Sequence, residues 1–328
     1  MPGDLVDEAG VRVIRVKRSS QLVVALRMLV ALVSLSSRDT ATIVHATTWR
    51  VATVAQLVFR RSAHVVTVHG REVLNCNRVA RSVLSLVLRR ASVVLTVSEA
   101  TREALEGVLP GLLENKVAVA WNGISFEREA RAMKVTTRLA DGPVRILCLA
   151  RMVPRKNIDK AISAVAALHR SGHEVALSIG GRGPELTRLV ALADAQLPPG
   201  VCRFLGFVED RELPVLYREH DVFLHPHSHV GQGNDFEGFG IVIADAMSFG
   251  CAVVVGQDGG PRDYIVHGST GWLVDGDDAA SVADVLEAVV ADRAVAAEVG
   301  QRGREVALEK MSWNAHAEVV LHRLLRSP

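Results

Sequence analysis

The sequence predicts an α/β protein made of two doubly wound parallel sheets. A chain of 328 residues has room for two domains of ordinary size. Short apolar runs alternate with segments of helical periodicity along most of its length, the pattern of strand–helix–strand units with parallel strands. That alternation stops in a charged stretch, roughly Ser125 to Gly142, and then starts again.

In the first half, Val11–Val16 largely alternates, as a half-buried strand does. Gln21–Ser37 is the most apolar run. Interrupted by Arg27 and short for a bilayer, it reads as a buried helix. Thr42–Ala46 and His64–Val68 are strands, the second ending at His69-Gly70. Trp49–Phe59 and Arg78–Arg90 are helices. Val93–Val97 runs into Ser98, a good N-cap for the following helix. Val117–Trp121 leads to the turn pair Asn122-Gly123. In the second half, strands are predicted at Val144–Ala150, Val175–Ile179 and Val201–Leu205, with a helix over Ile158–His169. An amphipathic helix over Ser312–Leu325 closes the chain.

Composition narrows the function classes. The chain is 49% hydrophobic, enough to fill two cores, and 4% aromatic, with no nucleic-acid-binding motif. The four cysteines stand singly, which argues against zinc and a disulfide framework and for a reducing compartment. Residues 1–20 mix charged and apolar residues, unlike a signal peptide. Residues 1–140 carry 20 Lys and Arg against 11 Asp and Glu, leaving 18 against 25 for the remainder. A basic first half suits an anionic acceptor or peripheral contact with an anionic membrane face. The expected location is the cytoplasm or its membrane surface.

The chemistry concentrates between Asp221 and Val274. Asp221–Pro226 reads as a buried strand and its turn signal, His227–Asp235 as a polar loop. Ile241, Ala244, Met247 and Ser248 recur at helical spacing up to Gly250. Glu237 and two glycines therefore sit where a helix begins, and bare N–H groups there suit a phosphate. Asp245 follows Glu237 by eight residues, a little over two helical turns, so both carboxylates can face one ligand. Cys251–Val255 is the next buried strand, followed by the turn Gly259-Gly260-Pro261. The loop after Ala150 carries two cations, Arg151 and Lys156, of the kind that stabilise a leaving group gaining negative charge. His225, His227 and His229 alternate, as some metal ligands do, but nothing is spaced to complete a ligand set. Gly180-Gly181-Arg182-Gly183 by itself spells only a tight turn after a strand.

Taken together, these segments resemble the donor-site signature of the retaining family 4 glycosyltransferases of GT-B fold. The residues that carry the resemblance are the Phe236–Met247 run, the Gly259–Val274 run and the Arg151/Lys156 pair. It covers nearly the whole chain and is tightest over 144–274. Where the family has Glu, seven residues and Glu, the second position here is Asp245. The resemblance implies two Rossmann-like domains facing a cleft. These are 1–140 on the acceptor side with a linker, 141–311 for the nucleotide sugar, and a helix over 312–328 packing back on the first. It implies a UDP- or GDP-linked sugar donor, a small-molecule, glycan or lipid-linked acceptor, and neither cofactor nor metal. By the same resemblance, His69 contacts the donor sugar or acceptor. Arg151 and Lys156 hold the phosphates, and Glu237 holds sugar hydroxyls. Phe239, Gly240 and Ile241 offer backbone contacts, Asp245 takes the ribose, Val208 lies in the base-binding segment, and Gly181 lines the substrate side.

The resemblance also implies a strand, a Gly-rich loop, a long helix and a second strand before Val11, and the sequence begins at about the strand that follows them. The expectation is either an upstream start or a truncated member, with 1–140 less stable than Val144–Val274. A second function follows from that gap and from Asp245: binding of a nucleotide sugar, or a partner, without catalysis. A third reading, a Rossmann dehydrogenase, is disfavoured, since the first strand is followed neither by a GxGxxG nor by an acidic residue at the matching distance beyond.

Overall fold

In the computed structural model, residues 4–6, 12–14, 21–36, 43–111, 115–133, 142–229 and 235–326 are described. Val11, Arg15, Val16, Ser37 and Thr42, residues 134–141 of the charged stretch and residues 230–234 of the polar loop lie outside them. The chain forms two compact units, the first of Met1–Thr96, Arg102–Val119 and Val319–Pro328, the second of Val97–Thr101 and Ala120–Glu318.

The first unit opens with β1 (Asp4–Val6) and β2 (Arg12–Ile14), then α1 (Gln21–Ser36), β3 (Ile43–Ala46), α2 (Trp49–Val58) and β4 (Ala63–Val68). It continues with α3 (Arg71–Leu74), α4 (Arg78–Arg90), β5 (Val93–Thr96), α5 (Glu99–Val108, begun in the second unit) and β6 (Val117–Val119). Strands β3-β4-β5-β6 lie in that order in one parallel sheet. Its core joins Val66, Val68 and Val94 to Trp49 and Ala52 of α2 and Leu84, Val87 and Leu88 of α4. Ser98 caps α5 as predicted, its Oγ accepting the Thr101 N–H at 3.0 Å.

Two expectations for this half need correction. The strand predicted at Val11–Val16 is not in the parallel sheet. Arg12–Ile14 pairs antiparallel with Asp4–Val6 in a separate two-stranded ribbon. The five residues between those strands are too few for a parallel crossover. Nor is α1 buried all round. It packs against α2, while Leu26 and Val30, one turn apart, are 60% and 64% exposed.

The second unit contains α6 (Glu127–Ala132), β7 (Val144–Leu149), a 3₁₀ turn at Pro154–Lys156 and α7 (Ile158–Arg170). Next come β8 (Val175–Gly180), α8 (Leu186–Gln196), β9 (Cys202–Gly206), α9 (Leu213–Glu219), β10 (Val222–His225) and α10 (Ile241–Ser248). It ends with β11 (Ala252–Gly256), β12 (Trp272–Val274), α11 (Ala279–Ala291), α12 (Arg293–Lys310) and α13 (Trp313–Arg326), which runs on into the first unit. The sheet order is β12-β11-β10-β7-β8-β9, all parallel. Alternate residues of one strand feed opposite cores. Ile146 and Cys148 pack with α7 and α11, Leu147 and Leu149 with α9, α10 and α12. A sheet covered on both faces needs such continuous apolar strands, which is why they read so clearly in the sequence.

From β7 the chain winds one way through β8 to β9, then returns to β10 beside β7 and winds the other way. The winding thus reverses between β7 and β10. In sheets of this kind, ligands bind at the carboxyl ends of the strands at that reversal.

Candidate active site

The reversal brings together two loops that are far apart in sequence. One follows β7 and carries Arg151, Arg155 and Lys156; the other follows β10 and reaches Glu237. Lys156 Nζ donates to Glu237 Oε2 in a close ion pair. Arg155 Nη1 donates to the same oxygen at 3.2 Å, and its Nε lies 3.2 Å from Asp235 Oδ1 without hydrogen-bond alignment. Burial alone would raise the Glu237 carboxyl, but Lys156 beside it, by charge and by hydrogen bond, holds it well below the usual carboxylate range. Burial pulls Lys156 down while Glu237 works against that. The geometry of a buried cation in contact with a half-buried carboxylate favours the ionised pair.

Glu237 is fixed through its backbone as well, its carbonyl accepting the Gly260 N–H at 2.8 Å. After it, Gly240 caps α10 with φ 81°. The first bonds of α10 run from the Ile243 and Ala244 N–H groups to the Gly240 carbonyl, at 2.9 and 3.1 Å. Helix geometry therefore leaves the Ile241 and Val242 N–H groups without an intrahelical acceptor. The Phe239 ring is core, 5.3 Å from that of Tyr264, whose hydroxyl donates to the Phe239 carbonyl at 2.7 Å. Phe239 thus offers backbone, not side chain, to anything at this helix end.

Asp245 lies about one turn along α10, which starts at Ile241 and not at Glu237, and is 2% exposed. Its Oδ1 accepts the Ser125 N–H at 2.7 Å. Burial pushes its carboxyl up to about 6, and the hydrogen bonds from Ser125 pull the other way. Because the folded value lies above the ordinary aspartate value of 3.8, protonation stabilises the fold. Stability is gained as pH falls from about 6 towards 3.8, and the cost of the buried charge is carried above that range. Asp245→Asn should therefore stabilise the protein by about 2 kcal/mol at pH 8. That gain should shrink below pH 6 and be small near pH 4. Urea unfolding at the two pH values checks this; an equal effect at both would rule the charge out as the cause.

The other predicted positions fall at strand ends. Arg151 is exposed directly after β7. Gly181 follows β8, where its N–H donates to the Gly206 carbonyl at 2.7 Å and a Cβ would overlap the Ala150 carbonyl. That close approach is a structural reason for glycine there. Val208 follows β9 and, with Phe207, Arg211 and Glu212, lines a cavity of about 570 Å³. The Arg182 guanidinium sits 5.3 Å from the Phe207 ring centroid. His69 belongs to the first unit, just beyond β4. There its Nε2 lies 3.0 Å from the Thr47 carbonyl and its backbone N–H donates to Glu72 at 2.7 Å.

Sequence reasoning passed over Arg155 and Asp235, and it weighed His225 and His227 only as metal ligands. In the structure the two histidines are fully buried and bonded to one another, with Nδ1 atoms 3.0 Å apart. Among the described residues no three His, Cys, Asp or Glu side chains gather as a metal set would require. The signal for the histidine pair was their place in a buried strand end, where polar rings need partners.

The comparisons with known proteins agree with this geometry. The family described as Glycosyl transferases group 1 matches residues 130–306, and Glycosyltransferase Family 4 matches residues 2–128. The GDP-mannose-dependent alpha-(1-6)-phosphatidylinositol monomannoside mannosyltransferase of Mycolicibacterium smegmatis is 35% identical over 264 residues. That match covers 76% of this chain and 66% of the relative, just under two thirds of its length. Alpha-maltose-1-phosphate synthase of Mycobacterium tuberculosis is 30% identical, over 88% of this chain and 80% of the relative. Among solved structures, sucrose-phosphate synthase from Thermosynechococcus elongatus superposes with TM-score 0.78 at 21% identity, over 99% of this chain and 86% of that one. HepE of Anabaena, solved with UDP and glucose, gives TM-score 0.74 at 19% identity, over 90% and 81%. Two parallel-sheet α/β units, a site at the winding reversal and these matches lead to one conclusion: the chain belongs to the group 1 (family 4) glycosyltransferases and has their GT-B fold.

Proposed function

We propose that this chain transfers a hexose, with retention of configuration, from a nucleotide diphosphate sugar to an acceptor hydroxyl. The observation that carries the reading is the ion pair of buried Lys156 with half-buried Glu237 at the winding reversal beside the start of α10. In the proposed reaction the acceptor oxygen bonds to the sugar's anomeric carbon as the bond from that carbon to the phosphate breaks. The acceptor's proton passes to the departing phosphate oxygen on the same face. Arg151, Lys156 and the first N–H groups of α10 hold the phosphates, and Glu237 holds the sugar hydroxyls. Asp245 takes the ribose, Val208 and Gly181 border the base, and His69 meets the sugar or acceptor. No resident cofactor or metal enters the scheme. In this division of labour residues 1–140 serve the acceptor, 141–311 the donor, and 312–328 tie back to the first part.

The mannosyltransferase relative, named for GDP-mannose and a phosphatidylinositol mannoside, favours a GDP-linked donor and a lipid-linked acceptor. The basic first half and the exposed Leu26/Val30 stripe support peripheral contact with an anionic, cytoplasmic membrane face. No helix among the described residues is long and apolar enough to cross a membrane. Turnover of GDP-mannose should exceed that of UDP-glucose by at least about tenfold, the scale of one discriminating contact. Product nucleotide release, measured on vesicles containing phosphatidylinositol mannosides, checks it. Equal use of both donors would remove the GDP assignment. The second reading, binding without transfer, is favoured by Asp245 being engaged with Ser125. Calorimetric binding of GDP with no turnover on any acceptor would replace the first reading by the second.

A further inference from the structure

Behind Lys156 lies a chain of hydrogen bonds that the transfer scheme does not use. His225 Nε2 is 3.2 Å from Lys156 Nζ, His225 Nδ1 is 3.0 Å from His227 Nδ1, and His227 Nε2 is 2.7 Å from the Asp258 carbonyl. We propose that His225 and His227 are positioning residues for the transfer, a neutral pair locked in one tautomer order that aims the Lys156 ammonium from the turn at Asp258. The inference rests on Lys156 holding the donor phosphates.

The order follows from donor and acceptor chemistry. An ammonium only donates, so His225 Nε2 accepts. A neutral imidazole then carries its proton on Nδ1, which makes His227 Nδ1 the acceptor and leaves the His227 proton on Nε2. That proton meets a carbonyl, which only accepts, so the chain closes with every partner matched. His227 Nδ1 also lies 3.0 Å from the His225 carbonyl. In this order that contact joins two acceptors and is not a hydrogen bond. Donating to that carbonyl would put a second proton on His227 and turn the chain round, setting His225 Nε2–H against the Lys156 ammonium. The charged groups facing the pair are Lys156, Arg155 and Glu237. Burial, helped by the Lys156 charge, holds both rings below the ordinary histidine range.

The backbone shows why the chain can transmit position. The Ser228 N–H donates to the Arg155 carbonyl at 3.0 Å, and Asn157 Nδ2 donates to Ser228 Oγ at 3.0 Å and to the Gly276 carbonyl at 2.8 Å. The histidine run is therefore fastened to the residues on both sides of Lys156. From the other side, a Cβ on Gly256 would overlap the His227 carbonyl, so β11 presses directly on the run. Gly259 and Gly260, which follow Asp258, pack on the backbone of Glu237 and Gly238. One turn thus sets both members of the catalytic pair, Glu237 through its backbone and Lys156 through two rings.

The test uses the full chain. Nitrogen-15 spectra of the unliganded protein at pH 7.5, assigned with His225→Gln and His227→Gln, should show His225 protonated on Nδ1 and His227 on Nε2, both neutral. The reverse order, or a charged ring, overturns the proposal. For function, His225→Leu removes the acceptor facing Lys156, while Gln returns an oxygen near the place of Nε2. His225→Leu should lower kcat by about ten- to a hundredfold, the scale of a hydrogen bond to a charged group, with donor KM nearly unchanged. Gln should restore most of that rate. Equal loss in both variants would mean a merely structural role and sinks the inference. If wild-type protein turns over no donor, the transfer reading fails instead, and the tautomer order still decides the histidine chain. If the Leu variant does not fold, the spectra decide alone.

Discussion

Lys156→Ala is expected to lower donor turnover by about two orders of magnitude, the usual cost of removing one preorganised charge-stabilising group. The reason is positional. Lys156 is 7% exposed, already desolvated and already aimed, so its interaction with a phosphate is not weakened by water. Arg155 remains 3.2 Å from Glu237 in the variant, so the carboxylate is not stranded and the unit should stay folded. Single-turnover rates with a circular dichroism melt as control separate the two effects. An unchanged rate in a folded variant would remove Lys156 from the chemistry, and with it the proposed mechanism.

Glu237→Gln is the second large effect, a loss in kcat of about a hundredfold. The amide keeps the shape but releases Lys156 and weakens the grip on a sugar hydroxyl. The two residues act as one unit, so Lys156→Ala with Glu237→Gln should cost little more than the worse single change. Multiplying losses would show two independent roles. The pH behaviour follows from the depressed Glu237 carboxyl. Stability contributed by its ionised form is present above the ordinary glutamate value of 4.5 and is lost only as pH falls through the lower folded value. Asp245 works in the opposite sense, adding stability as pH falls through about 6, and Asp245→Asn should abolish that gain.

How much of this was legible follows from which features are local. The strands of the second unit were readable because both faces of each are buried, so apolar residues run without a break. Glu237 and Asp245 stood out because one helix start and eight residues of spacing fix them together. Arg155 was hidden beside Lys156, since nothing in the string says which of two adjacent cations points inward. The structure buries both. The histidine run was seen but left without a role, because its meaning depends on Asp258 and Lys156, which tertiary folding brings from 31 and 69 residues away. The exposed stripe of α1 was missed for the opposite reason, because an apolar helix reads as buried whether or not a neighbour covers it. The antiparallel ribbon of β1 and β2 escaped notice because Asp4–Val6 is too short to register as a strand.

The three cations on the loop after β7 differ in how they meet dissolved ions. Arg155 and Lys156 are buried and paired with protein carboxylates, beyond the reach of a mobile ion atmosphere, whereas Arg151 stands in solvent. The loop's attraction for a polyanion is thus divided into a screened part and an unscreened part. Ionic strength governs the first encounter through Arg151. In the proposed scheme the grip on a donor diphosphate is set inside the fold and would persist in concentrated electrolyte. A nucleotide site built this way would keep its occupancy across salt conditions that empty a site made of surface lysines.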